Sequence, residues 1–460
     1  MTIRTTLLAT LMTFCALTAH AASAPEPASN ANTERSSTSL NASQQRKIDG
    51  IRAQMISKGI DPDSPQGQIV MRFSEDLVSN PAAAAQLRAV PHAGMGELIW
   101  KQRLSPDGRL RALERTKELV NSLGNGCDVD KLRELKRVDS INKLPPRALQ
   151  AMFDLIEILP SAKASQDDAD TIGDRLDSVA EYATAFSARF AARMKAKPFP
   201  FNECEELTLR IDTILSMADP ARRRMSLEFM KILGGRPTVL ADVVTDPRSY
   251  LDEAFDSQAL PSAMRTVLPA DGSQHLPFST ITIDGEWAGN LALTSGKGFV
   301  YTITNRRNDG VITELLRTVD NAGATQVVDF GMYYGLMPLR NRQVTYEYAT
   351  PLALFTDDAE IVAQNMPFQS GEKLSLPFPA PSYNGYTRQD CVFGKTKAAS
   401  SVFPALTGSA LEFQCDWIGA DLPILKMHGV WLPDYHVKFY LSAERGSDRS
   451  ELLVHNITIR

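Results

Sequence analysis

Long apolar runs are scarce in this chain. Past the opening residues every apolar stretch is broken by charge within a few positions, whereas a helix needs about 20 largely apolar residues to cross a bilayer. No transmembrane segment is therefore expected beyond the leader. Basic excess is missing as well: 49 Lys and Arg stand against 54 Asp and Glu, a formal charge of -5. Nothing in that balance draws the chain to nucleic acid or to an anionic membrane surface. The one dense basic run, Arg222-Arg223-Arg224, reads as the solvated face of a helix.

Local catalytic signatures are also lacking. There is no G-x-S-x-G, H-E-x-x-H or EF-hand pattern, so the enzyme and calcium-binding classes that announce themselves locally are not indicated. Gly394-Lys395-Thr396 resembles the end of a phosphate loop, but Gln389 stands where that motif needs glycine. Thr294 to Gly298 is glycine-rich yet lies between β-type runs, as a hairpin turn does, and opens no helix for an anion. The carboxylate pairs Asp284 with Glu286 and Asp357 with Asp358 suit turn and surface roles. No cofactor is expected.

What is present begins with an export signal. Arg4 supplies a positive charge, Leu7 to Leu17 an apolar core of about 11 residues, and Ala19-His20-Ala21 small side chains for a peptidase. Cleavage is expected near Ala21, which leaves a periplasmic or secreted chain. Bulky Phe14 before Cys15 argues against lipid attachment there. Four of the five cysteines then remain, and an even count in an exported chain favours disulfides. Keeping each bridge within one half of the chain pairs Cys127 with Cys204 and Cys391 with Cys415. A loop-entropy estimate gives these ~4.5 and ~3.4 kcal/mol. No close C-x-x-C pair supports zinc instead.

Texture then divides the chain. Residues 22–43, rich in Ala, Ser, Asn, Thr and Pro, read as a disordered leader after the signal at 1–21. From 44 to 235 apolar residues recur at helical spacing. Pro145-Pro146 opens one helix, with Leu149, Met152, Phe153, Ile156 and Leu159 on one face. Gly108 to Leu123 forms another, stopped by Gly124-Asn125-Gly126, and Gly234-Gly235 ends the last. After Pro237 short β-rich runs take over, with a helical passage around Leu251 to Arg265. Thr280 to Ile283 reads as a strand entering a turn at Asp284-Gly285, and Asn308-Asp309-Gly310 as a hairpin turn.

The fold class is therefore α+β: an all-helical N-terminal domain followed by a β-rich region, sandwich- or barrel-like. Pro377 to Tyr386 reads either as a linker between two small β-domains, 236–370 and 371–460, or as a long loop within one. The size of the β-rich half favours two.

One constellation carries candidate chemistry. His428, Asp434 and His436, with His455 nearby in sequence, gather metal-competent side chains near the C-terminus. Asp434 and His436 would share a strand face at period two, as zinc ligands or as a base oriented by a carboxylate. Aromatic neighbours Trp431, Tyr435, Phe439 and Tyr440 favour the plainer reading of histidines satisfied by backbone. The functional expectation is an exported binding or scaffolding protein whose partner is an envelope protein or cell-wall component. The alternatives are an envelope hydrolase or metal-dependent enzyme using those residues, and a periplasmic toxin-neutralising protein of the immunity type.

Overall fold

A computed structural model describes residues 40–88, 104–123, 138–161, 170–196, 202–233, 238–291, 298–320, 322–354, 368–378, 386–420 and 422–460. The expected signal peptide, most of the leader, Cys127, the helix stops at 124–126 and 234–235, the loop at 294–297, Asp357, Asp358 and residues 379–385 lie outside the described residues. The chain divides into two compact units, Met1–Asp170 with Thr184–Pro237, and Thr171–Ala183 with Thr238–Arg460.

In the first unit the helices are α1 (Ala42–Ser57), α2 (Pro65–Ser79), α3 (Pro81–Arg88), α4 (Pro106–Asn121), α5 (Pro146–Ser161), the later part of α6 (Ile172–Ala196), α7 (Glu203–Ser216) and α8 (Ala221–Leu233). Their starts follow local chemistry. Asn41 with Gln44, and Asn202 with Glu205, form capping boxes that satisfy otherwise unpaired backbone N–H groups. Ser64 and Ser105 cap helices whose first turn holds proline. Helix α4 packs against α5, α7 and α8. Its stripe of Ala112, Leu113, Thr116, Leu119 and Val120 is buried because those positions share one helical face. On α5, Leu149, Met152, Phe153 and Ile156 are buried as their spacing requires. The arginine run lies on α8: Arg222 and Arg223 pair with Asp219, and Arg224 with Asp170.

Helices continue past Pro237, where the sequence texture suggests strands. The second unit includes α9 (Val239–Thr245), α10 (Pro247–Ala254) and α11 (Ser262–Arg265). Val239 and Val243 are β-branched, which disguises α9 as a strand, yet both bury on one helical face. Asp246 caps α10 through the Ser249 N–H.

Among the described residues the strands of this unit form one antiparallel sheet of twelve. They are β1 (Thr280–Gly289), β2 (Gly298–Asn305), β3 (Val311–Val319), β4 (Thr325–Tyr334), β5 (Met337–Thr345), β6 (Ala353–Leu354), β7 (Lys373–Pro377), β8 (Tyr386–Ala398), β9 (Ser409–Gly419), β10 (Leu425–Leu432), β11 (Val437–Arg445) and β12 (Asp448–Ile459). Their order is β6-β5-β4-β3-β2-β1-β12-β11-β10-β9-β8-β7. The α+β class is thus observed: helices first, then an antiparallel sheet. Strands β7 and β8, which flank residues 379–385, pair with each other in that sheet.

Contacts between strands far apart in the order show that the sheet curls. Tyr301 on β2 meets Phe439 on β11 edge to face, and both belong to a core with Ile281, Ile303, Val430 and Val437. The other side of β4 carries Phe330, stacked on Phe255 and set edge-on to Tyr250 of α10. Asp284-Gly285 differs from expectation, for β1 runs straight through it with a bulge opposite β12. A Cβ on Gly285 would lie 2.3 Å from the Leu453 carbonyl oxygen and 2.9 Å from the Phe299 ring, so glycine here permits close approach of strands instead of a turn.

Cys391 and Cys415 face each other across β8 and β9 and are joined by a disulfide. Cys204 at the start of α7 is also disulfide-bonded, while Cys127 lies outside the described residues. Among the described residues no helix is long and apolar enough to cross a membrane.

Candidate functional site

The sequence directs attention to the turn between β10 and β11, and the structure places its residues separately. His428 sits half-buried within β10, opposite Gln414 and Ser442. Four strand positions, about 13 Å of extended chain, separate it from the end of β10. Asp434 and His436 are in the turn, so they do not share a strand face. The Asp434 carboxylate accepts the Ser409 N–H at 3.2 Å, which ties the start of β9 to the turn. His455 is exposed on β12, 3.9 Å from the Glu286 carboxylate. Among the described residues no group of three or more His, Cys, Asp or Glu is arranged to hold a metal ion.

His436 nevertheless marks a distinctive place. It adopts φ +54, the left-handed region that His visits more readily than branched residues do. Its ring stacks on Trp431 with centroids 6.0 Å apart, and its Nδ1 is buried without a hydrogen bond. A Cβ on Gly310 would come within 3.2 Å of that nitrogen, so the Asn308-Asp309-Gly310 turn packs directly on the imidazole. Burial holds the imidazole below its ordinary pKa, partly offset by the Gly310 backbone and the Asp434 carboxylate.

Two residues further on is the feature the sequence reading missed. Lys438 on β11 is 6 % exposed, and its Nζ lies 3.1 Å from the centroid of the Tyr333 ring on β4. No hydrogen bond reaches that Nζ. Facing it is Glu314 of β3, also 6 % exposed, whose carboxylate is hydrogen-bonded by Tyr301 while its Oε1 has no partner. Burial pushes the Lys438 ammonium down to about 8, offset in part by the Glu314 charge. The same burial raises the Glu314 carboxyl, opposed by Lys438 and by the Tyr301 hydroxyl. Each charge is therefore short of solvation, and neither finds full replacement in the other.

Polar character extends along β3 to β5. Glu314, Gly331 and Asn341 lie in register across the three strands, and the Asn341 Oδ1 is another buried atom without a hydrogen bond. Next along, burial pushes the Asp329 carboxyl up to about 6, against a 2.8 Å hydrogen bond from Gln343 Nε2. Gln343 Oε1 in turn accepts the Tyr348 hydroxyl at 3.0 Å. A sequence signal for this array existed: Glu314 and Lys438 are charges set inside apolar strand runs, where both flanking positions are also buried.

The helical unit offers a different kind of surface. A groove of about 980 Å³ runs beside α4 and α5, lined by Arg115, Glu118, Arg147, Gln150 and Asp154. Arg115 is already bonded to Glu118 and paired with Asp154. Among the described residues, the buried charges left short of hydrogen-bond partners lie in the sheet unit.

No family model, curated protein or solved structure matches this chain.

Proposed function

We propose that this chain is an exported, periplasmic protein that works by binding, and that it takes hold of an extended segment of an envelope protein along β12. The observation that carries this reading is the exposure of a strand in the middle of the sheet order. Strand β12 pairs with β1 along nearly its whole length, but with β11 only from Glu451 back to Asp448. From Leu452 to Ile459 no described strand pairs with its other side, and none of residues 451–459 is fully buried.

The edge is defined atom by atom. Thr280 and Arg460 exchange both backbone hydrogen bonds, so pairing alternates from there and Ile457 and Ile459 direct their N–H and C=O groups away from β1. Leu452, Val454, Ile457 and Ile459 pack their side chains against the core. An added strand would continue the β11–β12 ladder, apolar on that face and polar on the other, which is recognition by strand addition.

The test uses a photoreactive side chain at exposed position 455. It is expected to trap a specific envelope protein in the parent chain and in Ile457→Val, and to lose it in Ile457→Pro, which deletes an outward N–H that the β1 ladder does not use. Equal trapping by Ile457→Pro would overturn strand addition. Turnover of glycan or peptide by the purified protein would instead favour an envelope enzyme. An expected mature N-terminus at Ala22 would support export.

A further inference from the structure

The buried charges and the interrupted ladder meet on one element. Strand β11 is paired along β10, but toward β12 only Ser442 to Arg445 find partners, which leaves Val437 to Leu441 bound on one side. Those same residues hold β11 against the first half of the sheet, through Val437 and Phe439 in the core and Lys438 beside Glu314 and Tyr333. Val437 to Leu441 are supported on one edge only, with two under-solvated opposite charges beneath them, so opening there breaks no β12 ladder and restores hydration to both groups.

We propose that β11, with the turn from Pro433 to His436, is a flap that lifts from β2–β4 and admits water to Glu314 and Lys438. The open form solvates both charges, so it is favoured most where both groups are ionised. The direction of the pH dependence follows. A raised Glu314 adds stability to the closed form at acid pH that is lost as pH rises through its folded value. A lowered Lys438 adds stability to the closed form at alkaline pH that is lost as pH falls through about 8. Closure due to this pair is therefore strengthened toward acid by Glu314 and toward alkali, above about 8, by Lys438.

Tyr301 on β2 and Tyr333 on β4 touch the pair, and the other shifted groups on the elements under the flap and in its turn are Asp309, Asp329 and His436. His436, with its lowered value, opposes Glu314, since its contribution to closure is lost as pH falls. A variant that keeps His436 isolates the pair.

Hydrogen exchange of the β11 amides, measured on the full chain without any partner, tests the flap independently of strand addition. At neutral pH the double variant Glu314→Gln/Lys438→Met is expected to protect β11 amides about tenfold more than the parent, with β4 amides unchanged. The difference narrows at pH 5. Equal protection, or stronger protection in the parent, would overturn the proposal. Should the double variant fail to fold, His436→Asn, which tolerates the left-handed backbone, is compared with Glu314→Gln/His436→Asn, both of which keep the raised Asp309 and Asp329 carboxyls. β11 protection is expected to fall more steeply with rising pH in the chain that keeps Glu314, and equal profiles would defeat the flap.

Discussion

Two buried cations in the sheet unit are housed in opposite ways. Arg342 on β5 is 2 % exposed and has a partner for each side of its guanidinium: the Tyr250 hydroxyl at 2.7 Å, the Thr350 carbonyl at 3.0 Å, and Asp177 from the first turns of α6. Burial raises the Tyr250 phenol to about 12, partly offset by Arg342, so the hydroxyl stays protonated across the physiological range. Lys438, almost as buried, has an aromatic face and a carboxylate but no hydrogen bond. The planar fork of arginine matches several acceptors at once, whereas the lysine ammonium is a compact charge that loses more hydration. Burial of charge thus serves as a fixed anchor where the partners are complete, and leaves a weak point where they are not.

The largest expected effect breaks the anchor. Arg342→Met leaves the Tyr250 hydroxyl and the Thr350 carbonyl without a partner and should lower stability by about 4 kcal/mol. Urea unfolding followed by tryptophan emission suits the test, because Trp287, Trp417 and Trp431 all lie in this unit. If the loss matched that of a surface arginine, the contrast with Lys438 would collapse.

Replacing both Cys391 and Cys415 by serine comes next, at about 3 kcal/mol for a bridge closing a loop of this length. Its sharper use is positional. The β8–β9 amides should lose exchange protection while the β11 amides change little, since β11 is not stapled.

Gly285→Ala should cost about 2 kcal/mol, because the added methyl meets the Leu453 carbonyl and the Phe299 ring. Calorimetry gives the magnitude, and a β1–β12 ladder that exchanged as slowly as the parent's would show that the strands yield without cost. The smallest effect belongs to the helical unit. Asn202→Ala removes one half of a capping box and should lower stability by about 1 kcal/mol, read from helical circular dichroism on heating.

Much of the architecture was legible where one face of an element is buried. The α5 stripe, the Asn308-Gly310 turn and strand β1 follow from periodicity and turn chemistry. Strand β3 escaped, because its first five residues are buried on both faces and show no alternation. Helix α9 escaped for a related reason, as two β-branched residues mimic a strand. In the candidate site, His436 was visible as a titratable residue among aromatics. Glu314 and Lys438 were marked only as charges inside apolar strand runs, and their meeting could not be read because the strands that bring them together are far apart in sequence.

The sequence by itself determined the order of helices before strands, the caps that start the helices and the cysteines available for bridging, all set by neighbours within a few residues. The curl of the sheet was decided only in three dimensions. That curl brings β11 over β3 and β4, strands that do not pair with it, and local spacing holds no information about such a meeting. The same closure parts β11 from β12 and leaves an edge free within the sheet, because a strand drawn toward the core on one side cannot also follow its neighbour along the whole of its length.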